Sequence, residues 1–285
     1  MKKLFAICLM IVLSSTDFTK ATWTTPVPIT TINSSAPESQ GSLSADGLSI
    51  YFGRLTDGTA WQLWMATRNS VNDSFGSPVA VQGVNGFNSY TVYPWISQDN
   101  QRLYYTCGDY TYMSSRIADN SWSAGQLVAG LDAIGKMEVA RFSADELDVV
   151  FQSKAAGGKG GWDIYEATRP DRNSPFTNIH NLSQLNSVAY DGCPSLSADG
   201  LTLYFASDIA SQCYIYKTIR SDRDSTFGTV ELMPFPAGYN DPTISFDGTT
   251  MLLTNPDWDI SISYIPEPAT LLLLGLGAVM LRKKR

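Results

Sequence analysis

The chain has 285 residues, of which 44% are hydrophobic and only 16% charged, and it contains 22 Gly and 14 Pro. This composition supplies a sizeable apolar core and favours a turn-rich β fold over a helical bundle or a disordered chain. The net charge is −7; because residues 1–21 carry +2 and the last four residues carry +4, the part between them carries −13, which argues against a nucleic-acid partner.

The N-terminus has the pattern of a secretory signal peptide. Two lysines, Lys2 and Lys3, precede the apolar run 4–13, and the sequence up to Ala21 offers a cleavage site after that residue. Ten apolar residues are too few to span a membrane. We therefore interpret residues 1–21 as a removed signal peptide and expect the protein to be exported.

Five segments of the middle share one pattern, a short apolar strand, a Ser-x-Asp-Gly turn and a strand of alternating polarity. Their aspartates recur at intervals of 53, 46, 54 and 48 residues: Asp46, Asp99, Asp145, Asp199 and Asp247. Asp bonds the backbone two residues further on and Gly takes a positive φ, so we interpret these aspartates as turn residues and not as a catalytic set. Asn100 replaces Gly in the second copy and can adopt the same conformation. Glu146 replaces it in the third, where we expect a different turn.

Two further blocks follow each of the first four copies. The second block is an alternating strand that ends in Arg: WQLWMATR, YTYMSSR, WDIYEATR and CYIYKTIR. The third block is another short strand segment: FGSPVAV, SWSAGQLV, FTNIHNL and FGTVELM. One unit thus holds four strands in about 50 residues, which predicts the blade of a β-propeller.

The two ends of the repeat array predict how the ring closes. The fifth copy has three strands and then meets the C-terminal tail, whereas residues 23–29 precede the first copy and resemble the third block. Because a sheet protein must protect its open edges, we expect residues 23–29 to complete the last blade. The predicted fold is all-β: a single five-bladed β-propeller of four-stranded blades over residues 22–265, closed by the N-terminal strand.

The repeats resemble a known group of propellers. The Ser-x-Asp-Gly hairpins, and above all FQSKAAGGKGGWDIYEATR from Phe151, are similar to the WD-like repeats of periplasmic Tol–Pal-type and OmpA-associated proteins. Gly157-Gly158 and Gly160-Gly161 match the Gly-rich connection of that group. The resemblance implies a protein-binding or scaffolding module, although one fold hosts many functions.

The loops that lead into the innermost strands of a propeller surround one mouth of its central channel. Four carboxylates on these loops can do general acid–base work on a sugar, as in five-bladed furanosidases: Glu38, Glu138, Asp191 and Asp241. Beside them lie four candidate ligand-binding residues: Tyr93, Tyr190, Tyr239 and Asn240. The alternative is that these are solvated loop acids with tyrosines that cap the core. No copy has the pattern of a furanosidase active site, so no catalytic residue is assigned.

The histidine, the tryptophans and the cysteines are interpreted as structural residues more than as catalytic ones. His180, the only histidine, is expected on the surface of an outermost strand, so we assign it no catalytic role. Five tryptophans are interpreted as inter-blade core: Trp61, Trp64, Trp95, Trp162 and Trp258. The pairing of Cys107, Cys193 and Cys213 stays open, since a Cys193–Cys213 disulfide requires the connecting loop to draw two strands together. No metal motif is present, and Ca²⁺ held by oxygens at the mouth is the only cofactor considered.

The C-terminus resembles the PEP-CTERM sorting signal of bacteria. Pro266, Glu267 and Pro268 precede the apolar run 269–281, which is followed by the basic end 282–285. The resemblance implies recognition by a membrane protease, an exosortase, and cleavage near the Pro-Glu-Pro. It also implies a Gram-negative-type envelope and transient membrane contact through the C-terminal helix.

Two functional hypotheses follow. The preferred one is a non-enzymatic binding or scaffold protein, exported and sorted to the cell surface, that binds an envelope protein or an extracellular polysaccharide through one propeller face. The second is a glycosidase-like enzyme with carboxylates at the channel mouth.

Overall fold

The structure is a computed structural model that describes residues 22–86 and 90–266, so the signal peptide and all but Pro266 of the sorting motif lie outside the described residues. Thr24–Tyr264 forms one compact unit. The remaining described residues at the two ends, 22–23 and 265–266, belong to a second unit. The first unit is almost entirely β, with one 3₁₀ turn at Leu131–Ile134.

The first unit contains five antiparallel sheets, each built around three consecutive strands. The first strand along the chain is β1 (Val27–Pro28). Blade 1 comprises β2 (Glu38–Leu43), β3 (Ser49–Thr56), β4 (Ala60–Thr67) and β5 (Val79–Ala80). Blade 2 comprises β6 (Thr91–Ile96), β7 (Arg102–Cys107), β8 (Tyr110–Ala118), β9 (Ser121–Trp122) and β10 (Gln126–Leu127). In this blade the long strand β8 pairs with both short strands.

The remaining three blades repeat the order. Blade 3 comprises β11 (Met137–Phe142), β12 (Asp148–Ser153), β13 (Asp163–Thr168) and β14 (Thr177–Asn181). Blade 4 comprises β15 (Asp191–Leu196), β16 (Thr202–Ser207), β17 (Tyr214–Ile219) and β18 (Glu231–Leu232). Blade 5 comprises β19 (Asn240–Ile244), β20 (Thr250–Thr254), β21 (Ile260–Tyr264) and β1. Each innermost strand contacts those of its two neighbours, from β2 through β6, β11, β15 and β19 back to β2, so the five-bladed propeller is confirmed.

Closure by the N-terminal strand is confirmed. Val27 lies opposite Ile262 and Pro28 opposite Ser261 in an antiparallel pair. The Ile29 N–H donates to the carbonyl of Ile260 at 2.9 Å. Residues from the two ends of the chain thus form one blade, and β21 is not left as an open edge.

The turn after each innermost strand has the predicted chemistry in all five copies. In the first, Asp46 Oδ1 accepts from the Ser44 hydroxyl at 2.6 Å and from the Leu48 N–H at 3.0 Å. The expectation of a different turn at Glu146 is wrong, because its φ is 65°, close to the 68° of Gly47. The conformation is held by tertiary contacts: the Glu146 carboxylate is fully buried and bonded by Arg102.

In blades 1–4, the Arg at the end of the third strand hydrogen-bonds to the Ser-x-Asp turn of the same blade. Its Nε donates to the carbonyl of the fourth turn residue, for example Arg68 to Gly47 and Arg220 to Gly200, both at 2.8 Å. The guanidinium also stacks on an aromatic ring of the outer block, as in Arg220 on Phe227 at 4.6 Å. This shared contact explains why the second block always ends in Arg.

The hydrophobic core lies between the blades. One cluster joins Ile50 and Phe52 of blade 1 to Leu252 of blade 5, and all three are fully buried. Each such side chain contributes about 1.5–3 kcal/mol relative to an exposed one. The blades therefore stabilise one another, and the polar ends of the innermost strands are left at the two faces of the ring.

Candidate functional site at the entrance face

The two faces of the propeller are built from different loops. The entrance face, where the innermost strands begin, carries the connections between blades and those between second and third strands. The turn face, where these strands end, carries the five Ser-x-Asp turns. At the turn face Trp95, Phe142 and Phe246 pack together, with ring centroids 5.1 and 5.7 Å from Trp95, and a cavity of only about 10 Å³ remains there. These aromatic side chains therefore fill the ring at the turn face.

A bulge occurs at the same place in all five innermost strands. Five non-glycine residues take left-handed φ angles between 46° and 63°, and the strand register breaks beside each: Gln40, Tyr93, Val139, Cys193 and Asp241. Each such residue costs on the order of 1–3 kcal/mol, and bulges of this kind re-aim side chains beside functional sites. We call these five residues the channel ring.

Members of the channel ring interact across blades. The Cys193 thiol donates to Asp241 Oδ1 at 2.8 Å, and the Tyr190 hydroxyl lies 3.0 Å from the same sulfur. Gln152 accepts from the Cys193 N–H at 2.8 Å. Burial, and then the Asp241 charge, raise the pKa of the Cys193 thiol well above its ordinary value. The thiol thus stays protonated at neutral pH and is neither a nucleophile nor part of a disulfide with Cys213.

Arg141 brings a positive charge into the channel. Its side chain is 2% exposed, and Nη1 donates to the carbonyl of Tyr93 at 3.2 Å. Burial lowers the pKa of Arg141 to about 10, and the Asp241 charge opposes this, so the guanidinium remains protonated at neutral pH. Arg141 is not among the residues predicted from the sequence; the signal was an Arg at a repeat position that holds Ser42 in blade 1.

The four predicted carboxylates do not form one set. Glu38 and Asp191 are the first residues of their strands, and both are buried in structural hydrogen bonds. Glu38 accepts from Arg54 Nε at 2.7 Å, and Asp191 accepts from the Ser207 hydroxyl and the Ser187 N–H. Neither carboxylate is therefore available to a ligand.

Glu138 is the second residue of β11. Asp241 is the bulged residue of β19 and so comes one repeat position later. Burial raises the pKa of both carboxyls. Burial raises the pKa of Tyr93 well above its ordinary value, and the charges of Asp241 and Glu138 add to this shift. Of the four predicted carboxyls, Glu138 and Asp241 are thus the two with a raised pKa.

A cleft of about 220 Å³ adjoins the channel ring at blade 5. We call it the mouth cleft and define it by Cys213, Asn240, Asp241, Asn255 and Trp258. Trp258 is 50% exposed. The Oδ1 atom of Asn240 is buried without a hydrogen-bond partner. The cleft thus combines an exposed indole, two amides and a protonatable carboxyl.

The aromatic candidates have different environments. Tyr93 is 9% exposed within the channel ring, whereas Tyr190 and Tyr239 are half-buried beside it. The interpretation of the tryptophans as inter-blade core is correct for Trp95 and wrong for Trp258. The centroid of the Trp258 ring lies 6.2 Å from that of Trp61 of blade 1, with the two rings tilted by 49°, and Trp258 is 50% exposed.

Neither a metal centre nor a membrane helix is found in the part of the chain that the structure describes. Within residues 22–86 and 90–266, no three His, Cys, Asp or Glu side chains come close enough to hold a metal ion, so the considered Ca²⁺ has no such ligand set there. Over the same residues, no helix reaches the length and hydrophobicity of a bilayer span. His180 is exposed on β14, as expected.

Comparison with protein families identifies the tail. Residues 265–285 match the PEP-CTERM protein-sorting motif. The C-terminus is a PEP-CTERM sorting signal. The motif marks a protein that is exported and sorted to the cell surface of a Gram-negative bacterium, where exosortase recognises the tail. No curated protein is significantly similar to the chain in sequence.

Solved structures share the propeller fold. A TolB-type protein from Agrobacterium tumefaciens is 18% identical, with a TM-score of 0.50 over 78% of this chain and 72% of that one. The catalytic domain of a GH62 α-L-arabinofuranosidase from Coprinopsis cinerea is 12% identical, with a TM-score of 0.55 over 80% and 90%. An α-L-arabinofuranosidase from Lactobacillus brevis is 13% identical, with a TM-score of 0.54 over the same shares. These similarities concern the fold alone.

Proposed function

We propose that this exported protein is a non-enzymatic binding protein whose entrance face holds an extracellular polysaccharide. The observation that carries the proposal is the mouth cleft, in which the exposed Trp258 indole lies beside the side chains of Asn240, Asn255 and Asp241. The sorting motif supports it, because a protein at the cell surface meets polymers of the surrounding matrix.

The chemistry of the mouth cleft fits a sugar ring. The apolar face of a sugar stacks on an aromatic ring, and Trp258 offers one that its partner Trp61 holds in place. Sugar hydroxyls donate to amide and carboxyl oxygens, and the buried Oδ1 of Asn240 lacks a donor. Asn240 lines the cleft and carries an amide, which makes it a specificity residue of the proposal.

Replacement of the exposed indole tests the proposal. We expect Trp258→Ala to weaken binding to glycans captured on an array of bacterial exopolysaccharides by about tenfold, equivalent to about 1.4 kcal/mol. Tyr264→Ala is the matched control, since Tyr264 is a 39% exposed aromatic on the same blade at the turn face. Equal effects of both variants, or no glycan bound by the wild type while an envelope protein is captured, would contradict a polysaccharide ligand.

The raised pKa values of Glu138 and Asp241 favour one second candidate, a glycoside hydrolase. A general acid needs a raised carboxyl pKa, and both groups have one. Incubation with arabinan-type substrates and exopolysaccharides decides between the two functions. We expect no reducing ends to be released; release by the wild type that is lost in both Asp241→Asn and Glu138→Gln would establish the enzyme instead.

A further inference from the structure

Blades 3 and 4 carry the same arginine pair after their third strands. The pairs are Arg169 with Arg172, and Arg220 with Arg223. The second arginine of each pair is anchored alike: Arg172 Nε donates to the carbonyl of Asp145 at 3.0 Å, and Arg223 Nε to that of Asp199 at 2.9 Å. The two pairs therefore present their guanidinium groups in the same way to the preceding blade.

Where blade 4 meets blade 3, carboxylates neutralise the pair. Arg223 Nη1 lies 2.7 Å from Asp145 and 2.8 Å from Asp148. Arg220 Nη1 lies 2.7 Å from Glu166. Two arginines thus face three carboxylates, and no positive charge is in excess.

Where blade 3 meets blade 2, the repeat places other residues opposite the pair. Arg102 of blade 2 occupies the repeat position that Asp148 occupies in blade 3, and Met113 of blade 2 occupies that of Glu166 in blade 3. Arg102 bonds the buried Glu146 through Nε and Nη2, at distances of 2.6–3.0 Å. It also binds Asp99 on the rim at 2.8 Å.

Arg169 and Arg172 also lie near the Glu146 carboxylate. Arg169 Nη2 is 3.7 Å from Oε2, and Arg172 Nε is 3.7 Å from Oε1. The Arg169 guanidinium also donates to the Tyr104 hydroxyl at 3.4 Å. The Arg172 side chain is 47% exposed. Among the ion pairs of the described residues, Arg172 thus comes no closer than 3.7 Å to a carboxylate, whereas Arg223 at the equivalent position lies within 2.8 Å of two.

These residues line a cleft of about 340 Å³ on the turn face, which we call the arginine cleft and define by Arg102, Met113, Leu127, Arg172 and Asn173. Its size lies at the lower end of the range of about 300–1,000 Å³ that is typical of small-molecule sites. Leu127 is 43% exposed and offers an apolar wall beside the charge. We infer that the arginine cleft binds the carboxylate of an acidic sugar unit, with Arg172 as the principal donor.

The fit follows from the chemistry of the lining. A guanidinium binds a carboxylate through two parallel hydrogen bonds. Met113 and Leu127 can pack on the sugar ring, while Asn173 offers an amide to its hydroxyls. This site is separate from the mouth cleft and does not depend on the function proposed for the entrance face.

Calorimetric titration with a tetragalacturonate tests the inference, and maltotetraose serves as the neutral probe. We expect saturable binding of the acidic oligomer that weakens with salt, no binding of the neutral one, and a loss of about tenfold in Arg172→Gln. Leu127→Asp should weaken binding as well, because it adds a negative charge at an exposed rim position.

Arg223→Gln is the matched control. It removes the same charge from the equivalent repeat position, but from an arginine that two carboxylates already neutralise. Binding should therefore be unchanged in this variant; if its melting temperature falls below the assay temperature, Lys217→Gln replaces it as the charge control. Absence of saturable binding, equal loss in Arg172→Gln and the control, or equal affinity for inorganic phosphate would overturn the inference.

Discussion

At the residue scale, the repeated Asp shows how a local turn motif shifts the pKa of a carboxyl group. Asp199 Oδ1 accepts from the Ser197 hydroxyl at 2.5 Å and from the Leu201 N–H at 2.9 Å. Burial alone would raise the pKa of this carboxyl, but the two hydrogen bonds outweigh it and the pKa is lowered. The carboxyls of the other four turn aspartates are shifted in the same direction by the same kind of contacts.

The Asp199 carboxylate should stabilise the fold in a pH-dependent way. Because its pKa is lower in the folded state, its contribution is complete above the ordinary Asp value of about 3.9 and is lost as the pH falls through the folded-state pKa. We expect Asp199→Asn to be less stable than wild type by about 1 kcal/mol at pH 7, after allowance for solvent screening of this exposed group, and by less at pH 3. Urea denaturation at both pH values measures the difference in the free energy of unfolding between the variant and the wild type. A difference in stability between Asp199→Asn and wild type that stays constant with pH would contradict the linkage.

At the element scale, the two-residue strand β1 completes the ring. Pro28 suits an outermost strand, because Pro has no N–H to donate to a further neighbour. Ile29 packs against the core cluster shared by blades 5 and 1. The strand is short, yet it covers the edge of β21 and adds to the closing interface.

Removal of residues 22–30 should destabilise the whole propeller. The deletion exposes the edge of β21 and removes Ile29 from the core, so we expect a lower melting temperature and association through the open edge. Thermal denaturation and light scattering measure the two effects. Val27→Ser is the control, since this side chain is 55% exposed and its backbone pairing is retained. An unchanged melting temperature after the deletion would show that closure does not stabilise the ring.

At the scale of the whole molecule, charge and address signals are separated along the chain. Basic groups lie at the two ends, while the part between them carries −13. We propose that the basic ends serve translocation, and that the mature protein comprises the propeller, residues 22–265, after removal of the signal peptide 1–21 and cleavage of the tail at or near residues 266–268. The apolar run of the tail, 269–281, is too short for a stable membrane span, which needs about 20 residues.

The tail should be cleaved at or near Pro266-Glu267-Pro268 in the native host. A short apolar segment with a basic end can hold the chain at the membrane for a protease, but it is a poor permanent anchor. Intact-mass measurement of the native protein should show the loss of residues 269–285. Glu267→Ala should retain them and leave the protein with the membrane fraction; a native mass that includes the tail would refute the proposal.

The sequence by itself determined the features that repeat. The Ser-x-Asp turns, the Arg-terminated third strands and the unpaired segment 23–29 predicted five blades and their closure, because each rests on local turn chemistry or on the need to cover an edge. The export and sorting signals were readable for the same reason, since they are linear patterns that a receptor reads without a fold.

The tertiary structure alone decided which polar residues meet. Glu38 and Glu138 differ by one position in the strand register, and a shift of one residue turns a side chain to the other side of the sheet. Glu146 keeps a turn that its residue type disfavours, because Arg102 of another blade binds its carboxylate. The exposure of Trp258 and the lack of a short ion pair at Arg172 likewise depend on which residues of neighbouring blades face them. Such pairings join residues far apart in the chain, and no local pattern encodes them.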